Sequence, residues 1–189
     1  MGPAIVAGQS PLAEAADVLE VVFVCTGNRF RSPLAAALFS RAVDDETVRV
    51  SSAGTHDLGP VPALPEAIEH GRRLGVDLSG HRARYLRTVD LRSADLVIGF
   101  EQMHVATAVV DAGALRDRSF TLPELLDLLD PRGESARQEI ARANVNRESE
   151  RTLQSLEIAD PLGKGSKAFR EAADEIHDLV GRLVQQLFG

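Results

Sequence analysis

The chain has 189 residues, 44% hydrophobic and 26% charged, enough for one well-buried core and too few for two comfortable ones. Lys and Arg number 21 against 28 Asp and Glu, a net charge of −7 that disfavours nucleic acid as the main partner. No apolar run approaches the roughly 18 residues of a membrane span, and the single cysteine, Cys25, excludes both an intramolecular disulfide and a cysteine-rich zinc site.

Residues 1–18 lack the basic start and compact apolar centre of a secretory signal, so they read as a mobile tail on a cytoplasmic protein. LEVVFVC, from Leu19, is a β-branched and aromatic run that breaks at Gly27-Asn28, the pattern of a buried parallel strand feeding a loop. Ser32-Pro33 then opens a helix to about Val43, with Ser as cap and Pro in the first turn. Val48 to Gly54 is a second strand. Leu64, Ala67, Ile68, Gly71 and Leu74 recur at helical steps behind Pro65. Ala94 to Phe100 reads as a third strand, EQMHVATAVVDAG as a helix, SFTLP as a fourth strand and LPELLDLL as a further helix or turn. From Arg132 to Glu157 interleaved charges leave little to bury, which suits a solvated helix or mobile excursion, or alternatively a lid or docking surface. Phe169, Ala172, Ile176, Leu179, Leu183 and Leu187 mark a long terminal helix. This alternation implies a parallel sheet covered on both faces, with its active site at the carboxyl ends of the strands.

The chemistry concentrates in Cys25-Thr26-Gly27-Asn28-Arg29-Phe30-Arg31-Ser32-Pro33, between the first strand and the helix. A loop of this length can curl its amide N–H groups inward, and the helix behind it adds a positive dipole end, which together suit a tetrahedral dianion. Gly27 permits backbone angles closed to other residues. Arg31 offers a planar two-pronged donor to two oxyanion oxygens. Cys25 sits at the base of this field, where the thiolate is favoured, and Ser32 is placed to donate to its sulfur. A cysteine at a strand end is more often a small buried hydrophobe; the strand, loop and Ser-Pro helix start around it argue for the nucleophile.

VVFVCTGNRFRSPLAAALF resembles the phosphate loop of the low-molecular-weight protein tyrosine phosphatase family. SSAGT at Ser51, GVDLSGHRAR at Gly75 and ADPLGKGSKAFREAADEI at Ala159 resemble later blocks of that family in the same order. The resemblance implies a doubly wound α/β fold: a four-stranded parallel sheet with helices on both faces and the phosphate loop after the first strand. It further implies a cysteinyl-phosphate intermediate on a phosphorylated protein substrate, phosphate or other oxyanions in the loop, and neither metal nor organic cofactor. A monomer is expected. Position by position it implies that Cys25 is the nucleophile, Arg31 the phosphate-binding arginine and Ser32 the hydroxyl that stabilises the thiolate. The resemblance likewise implies that Asn28 holds the loop, braced by Ser52 and His81, while Thr26, Gly27, Arg29 and Phe30 complete the loop around the phosphate.

Two Asp-Pro pairs compete as general acid. Asp160 precedes a glycine-rich turn and the terminal helix, the family's setting, whereas Asp130 ends a leucine-rich segment, where Asp-Pro suits a helix-ending turn. Asp160 is preferred.

Three features depart from the resemblance. Phe30 stands where many members carry a second, protective cysteine, so oxidation of Cys25 is expected to run on to irreversible acids unless a small thiol caps it. Arg29 stands where tyrosine phosphatases of this type carry an aliphatic residue and the protein-arginine phosphatases threonine. Leu162 and Gly163 follow Asp160-Pro161 where aromatic side chains usually flank the substrate ring, and only 4% of the residues are aromatic. A protein-arginine phosphatase, an arsenate reductase served by a small external thiol, and a non-catalytic phosphate-binding module are the alternative readings. The DPLGKG turn leans towards the first, although Arg29 repels a guanidinium.

Overall fold

The computed structural model describes residues 18–149 and 157–189; all but the last residue of the expected tail lies outside them. Four strands, β1 (Leu19–Cys25), β2 (Val48–Gly54), β3 (Leu96–Gly99) and β4 (Ser119–Thr121), form one sheet in the order β2-β1-β3-β4. All three pairings are parallel. Six helices connect and follow the strands: α1 (Arg31–Val43), α2 (Pro65–Arg73), α3 (Gln102–Ala112), α4 (Leu122–Leu128), α5 (Ala136–Ser149) and α6 (Ser166–Phe188).

β1 sits inside the sheet because its sequence is apolar on both faces. Val21, Phe23 and Cys25 turn to one side, where they pack with Leu34, Leu38 and Phe39 of α1 and with Ile176, Val180 and Leu183 of α6. Val22 and Val24 turn to the other side, against Leu86, Leu91, Val97 and Ala108. Each fully buried side chain of this size contributes about 1.5–3 kcal/mol. The doubly wound reading therefore holds on both faces.

Local details differ from expectation. α1 starts at Arg31 behind Phe30, which makes no side-chain cap bond. Ser32 is not the cap, because its hydroxyl is occupied within the loop by Cys25 and Asn28. The segment from Arg132 is less free than its charges suggested. α5 buries Ile140, Ala143 and Glu139, and Arg147 lies over the Phe120 ring at 3.8 Å while donating to Glu124 Oε1 at 2.9 Å. Paired charges thus add to the buried Ile140 and Ala143 as the anchor; residues 150–156 of the expected excursion fall outside the described residues.

The register brings Cys25 beside Gly54 and Val24 beside Gly99. The ends of β1, β2 and β3 consequently meet at one place, under the loop that begins at Thr26.

Candidate active site

The loop from Cys25 to Arg31 is shaped by where its carbonyls go. Those of Cys25 and Thr26 accept from the amides of Thr55 and His56, both at 2.9 Å, and that of Arg29 accepts from Leu64 N at 2.9 Å. The Asn28 carbonyl accepts from His81 Nε2 at 2.7 Å. In a planar trans peptide the following N–H points opposite to the C=O. With these carbonyls tied outward, the amides of Thr26, Gly27, Arg29 and Phe30 turn inward, an anion-binding nest at the start of α1.

The left-handed residue of this loop is Asn28, at φ 51°, and not Gly27 as expected. Asn side chains tolerate this region better than most, and this one is fully wired. Its Nδ2 donates to Ser32 Oγ and Ser52 Oγ, each at 2.8 Å, and its Oδ1 accepts from Arg84 N at 2.9 Å. A Cβ at Gly27 would meet only the tip of the exposed Leu58 side chain, at 3.3 Å, which can yield. Gly54 is needed for close approach: a Cβ there would lie 3.0 Å from the backbone of Thr26, Gly27 and Asn28.

Cys25 Sγ lies 3.0 Å from Ser32 Oγ, and that oxygen also accepts from Asn28. Its own hydrogen is thereby left for the sulfur or for the Ala53 carbonyl at 3.4 Å. Arg31 is 1% exposed, and its guanidinium is engaged more fully than a free two-pronged donor. Nη1 donates to Glu101 Oε1 at 2.5 Å and to the Ile158 carbonyl at 3.0 Å. Nη2 donates to Asp160 Oδ2 at 2.6 Å and to Thr26 Oγ1 at 3.3 Å. An oxyanion that takes Nη2 must displace one of these.

Cys25, Thr26, Arg29, Phe30, Arg31, His56, Leu58, Leu64, Asp160 and Leu162 line a cleft of about 260 Å³. Arg29 stands at its mouth, with Nε donating to the Pro62 carbonyl at 2.9 Å. Phe30 turns its ring into the core, edge-on to Phe169 of α6 at 4.9 Å between centroids. Asn28, Ser32, Ser52 and His81 brace the loop from behind and do not line the cleft; burial, the main cause, lowers the pKa of His81. Asp130 is elsewhere, exposed and paired with Arg132 at 2.7 Å, a bond that keeps its carboxyl below the usual range. Among the described residues no cluster of three His, Cys, Asp or Glu could hold a metal, and no helix is long and apolar enough to cross a membrane.

Two residues were missed in the sequence, Glu101 and His104. Both follow the carboxyl end of β3, which is where a parallel sheet places its site, and their spacing forms a capping box on α3. His104 is 1% exposed; burial first, then the Arg31 charge, pushes its pKa down to about 4.

A cysteine and an arginine around a nest of amides, at the end of a central parallel strand, define a cysteine-dependent phosphatase. The family model described as low molecular weight phosphotyrosine protein phosphatase matches residues 20–188. The protein-arginine-phosphatase of Bacillus subtilis is 29% identical, over 89% of this chain and 97% of its own. The probable low molecular weight protein-tyrosine-phosphatase EpsP of Ralstonia nicotianae is 30% identical, over 88% and 94%. Among solved structures, the low molecular weight protein tyrosine phosphatase from T. tengcongensis superposes with a TM-score of 0.68 at 29% identity, covering 89% of this chain and 99% of that one. The chain belongs to the low molecular weight phosphotyrosine protein phosphatase family.

Proposed function

We propose that the chain hydrolyses phosphotyrosine on proteins, with Cys25 as nucleophile, Arg31 and the loop amides as the oxyanion cradle, and Asp160 as general acid and base. The Cys25 thiolate attacks phosphorus and forms the S–P bond as the P–O bond to tyrosine breaks, with the Asp160 proton passing to the leaving oxygen. Water then attacks the cysteinyl phosphate and gives a proton back to Asp160. The S–P bond breaks, and inorganic phosphate and the thiolate are released. Ser32 holds the thiolate, while Asn28, Ser52 and His81 hold the loop. Fixed donors aimed at the phosphoryl oxygens supply the largest share of the rate. A lone thiolate nucleophile suits the reducing cytoplasm, acting as a monomer.

The observation that carries the substrate choice is the cleft mouth. Leu58, Leu64 and Leu162 line it together with Arg29. Aliphatic walls accept a neutral aryl ring, and a guanidinium over such a ring is attractive by about 0.5–2 kcal/mol. The same cation opposes the positively charged group of a phosphoarginine. Phosphoarginine is nevertheless the second reading, because the Bacillus subtilis relative, similar over most of the chain, is named a protein-arginine-phosphatase.

A side-by-side panel of phosphotyrosine peptide, phosphoarginine peptide, and arsenate with a small thiol tests this. We expect kcat/KM to be highest on phosphotyrosine; a preference for either of the others overturns the substrate. Cys25→Ser is expected to abolish turnover of p-nitrophenyl phosphate, and wild-type turnover by that variant would refute the covalent scheme.

A further inference from the structure

Thr26 Oγ1 is held by two donors. His104 Nε2 lies 3.0 Å away and Arg31 Nη2 3.3 Å. The direction of the first bond follows from the other side of the imidazole, where Nδ1 faces the amides of Phe100 at 3.3 Å and Glu101 at 3.1 Å. Both are N–H donors, so Nδ1 carries the lone pair and Nε2 the hydrogen. Glu101 Oε2, at 3.8 Å from Nε2, is too distant to take that hydrogen. The threonine oxygen thus accepts twice, and its own hydrogen is left to point in the one remaining direction.

That direction is set by burial. His104 and Arg31, the two donors, are each 1% exposed, whereas Thr26 is partly exposed and lines the cleft beside Cys25. Turned to the cleft, that hydrogen meets the place an oxyanion on Cys25 would occupy. The inward amides of the loop are already fixed; a hydroxyl is ordinarily a free rotor, and here two buried donors restrict it before any ligand arrives, with His104 keeping its bond even where an oxyanion takes Arg31 Nη2.

We infer that Thr26 is a further catalytic residue whose hydroxyl donates to a phosphoryl oxygen during transfer to and from Cys25, and that His104 is the positioning residue that aims it. The inference rests on the phosphatase reading above and adds a side-chain donor to a cradle otherwise made of backbone and Arg31. Both polarising donors strengthen the O–H as an acid of hydrogen bonding, since Thr26 receives from a cation on one side. Apolar Val at position 26 keeps the shape of Thr and lacks the hydrogen; Ser keeps the hydrogen and loses one methyl.

The test is a set of three variants, Thr26→Val, Thr26→Ser and His104→Gln, with the double variant T26V/H104Q, assayed for kcat/KM on p-nitrophenyl phosphate and for competitive inhibition by vanadate and inorganic phosphate. T26V is expected to lower kcat/KM by about 10–100-fold, the weight of one hydrogen bond to a charged group. Vanadate, as the pentacoordinate mimic, should weaken in proportion, with inorganic phosphate weakening less. T26S should stay within about threefold of wild type, and H104Q should lose activity without adding to T26V in the double variant. If T26V stays within twofold of wild type, if T26S falls as far as T26V, or if the H104Q and T26V losses add, the inference is overturned while the phosphatase reading stands. A wild-type chain that turns over no phosphomonoester overturns both.

Discussion

Asp160 Oδ2 and Arg31 Nη2 are 2.6 Å apart, so the proposed proton carrier and the proposed phosphate clamp hold one another. Asp160 also accepts from the Leu162 amide at 3.0 Å through its other oxygen, which holds the carboxylate between Arg31 and its own turn. The pairing makes the acid a competitor for the oxyanion's own partner. Asp160→Asn removes a negative charge from beside the dianion as well as removing the proton carrier. We expect it to lower kcat by roughly 10²–10⁴ and at the same time to tighten inhibition by inorganic phosphate. Steady-state kinetics with phosphate as competitor reads both; unchanged phosphate inhibition would show that the pair does not compete.

Glu101 works on the other half of the same guanidinium. It takes Nη1 at 2.5 Å while the Ile158 carbonyl takes it at 3.0 Å, which sets the plane of the Arg31 fork. Glu101→Gln keeps an acceptor but loses the charge, and Glu101→Ala loses both. kcat/KM is expected to fall in the order wild type, E101Q, E101A, with E101A lower than wild type by about 10–100-fold. Denaturant unfolding should fall in the same order, because a buried arginine is left less compensated.

The loop's left-handed turn separates backbone from side-chain effects. Asn28→Gly accepts φ 51° with ease, yet it discards the bonds to Ser32, Ser52 and Arg84. If the side chain matters for those bonds, N28G should lose stability and activity nearly as far as N28A, by about 3 kcal/mol. Recovery of wild-type stability and rate in N28G would assign the residue a conformational role alone.

Stability should depend on pH through His104. Its pKa lies near 4 in the folded chain and near 6.5 in the unfolded one. Between those values the unfolded chain binds more protons, so stability is full above about pH 6.5 and falls as pH drops towards 4. The whole window is worth about 3 kcal/mol from this residue. His81 is shifted in the same direction by its burial. Urea unfolding at pH 7.5 and at about pH 5 is expected to differ by roughly 2 kcal/mol in the wild type, and H104Q should flatten the profile. An equally steep profile in H104Q would locate the dependence elsewhere.

Oxidation provides a separate check on the loop. Cys25 is the one cysteine in the chain and Phe30 turns its ring to Phe169, so no second thiol can trap a sulfenic acid at Cys25. Peroxide-treated protein is expected to recover only partly in dithiothreitol, and fully when a small thiol is present during the treatment. Full recovery without the small thiol would contradict this.

Much of the fold was legible because its signals are local. Leu19–Cys25 and Val48–Gly54 are short β-branched runs with clear ends, and the strands begin and stop at those residues. Glu101 and His104 were not legible, since EQMH reads as an ordinary helix start. Their importance arises only when the β1–β3 register sets the end of β3 beside Thr26 and Arg31. Arg29 and the leucines at the mouth fall between these cases: their types are plain in sequence, but which of them face one another depends on the Leu64 amide reaching the Arg29 carbonyl. The stretch after Arg132 was half legible: the solvated helix allowed there forms as α5, but its buried side was not foreseen. Its charges are matched by Glu124 and by one another, and pairing hides burial that hydropathy would have shown.

The stretch that carries Asp160 is sewn to the end of β3. The Ile158 amide donates to the Phe100 carbonyl at 2.8 Å, the Gln102 amide donates to Glu157 Oε1 at 2.8 Å, and Arg31 reaches the Ile158 carbonyl. In the proposed scheme an acid mounted on such a seam has only to release Arg31 Nη2, its backbone staying in place, to meet its substrate. The pace of turnover is then expected to belong to bond making and breaking at phosphorus, and thickening the solvent with sucrose should slow it only as far as product escape is slowed.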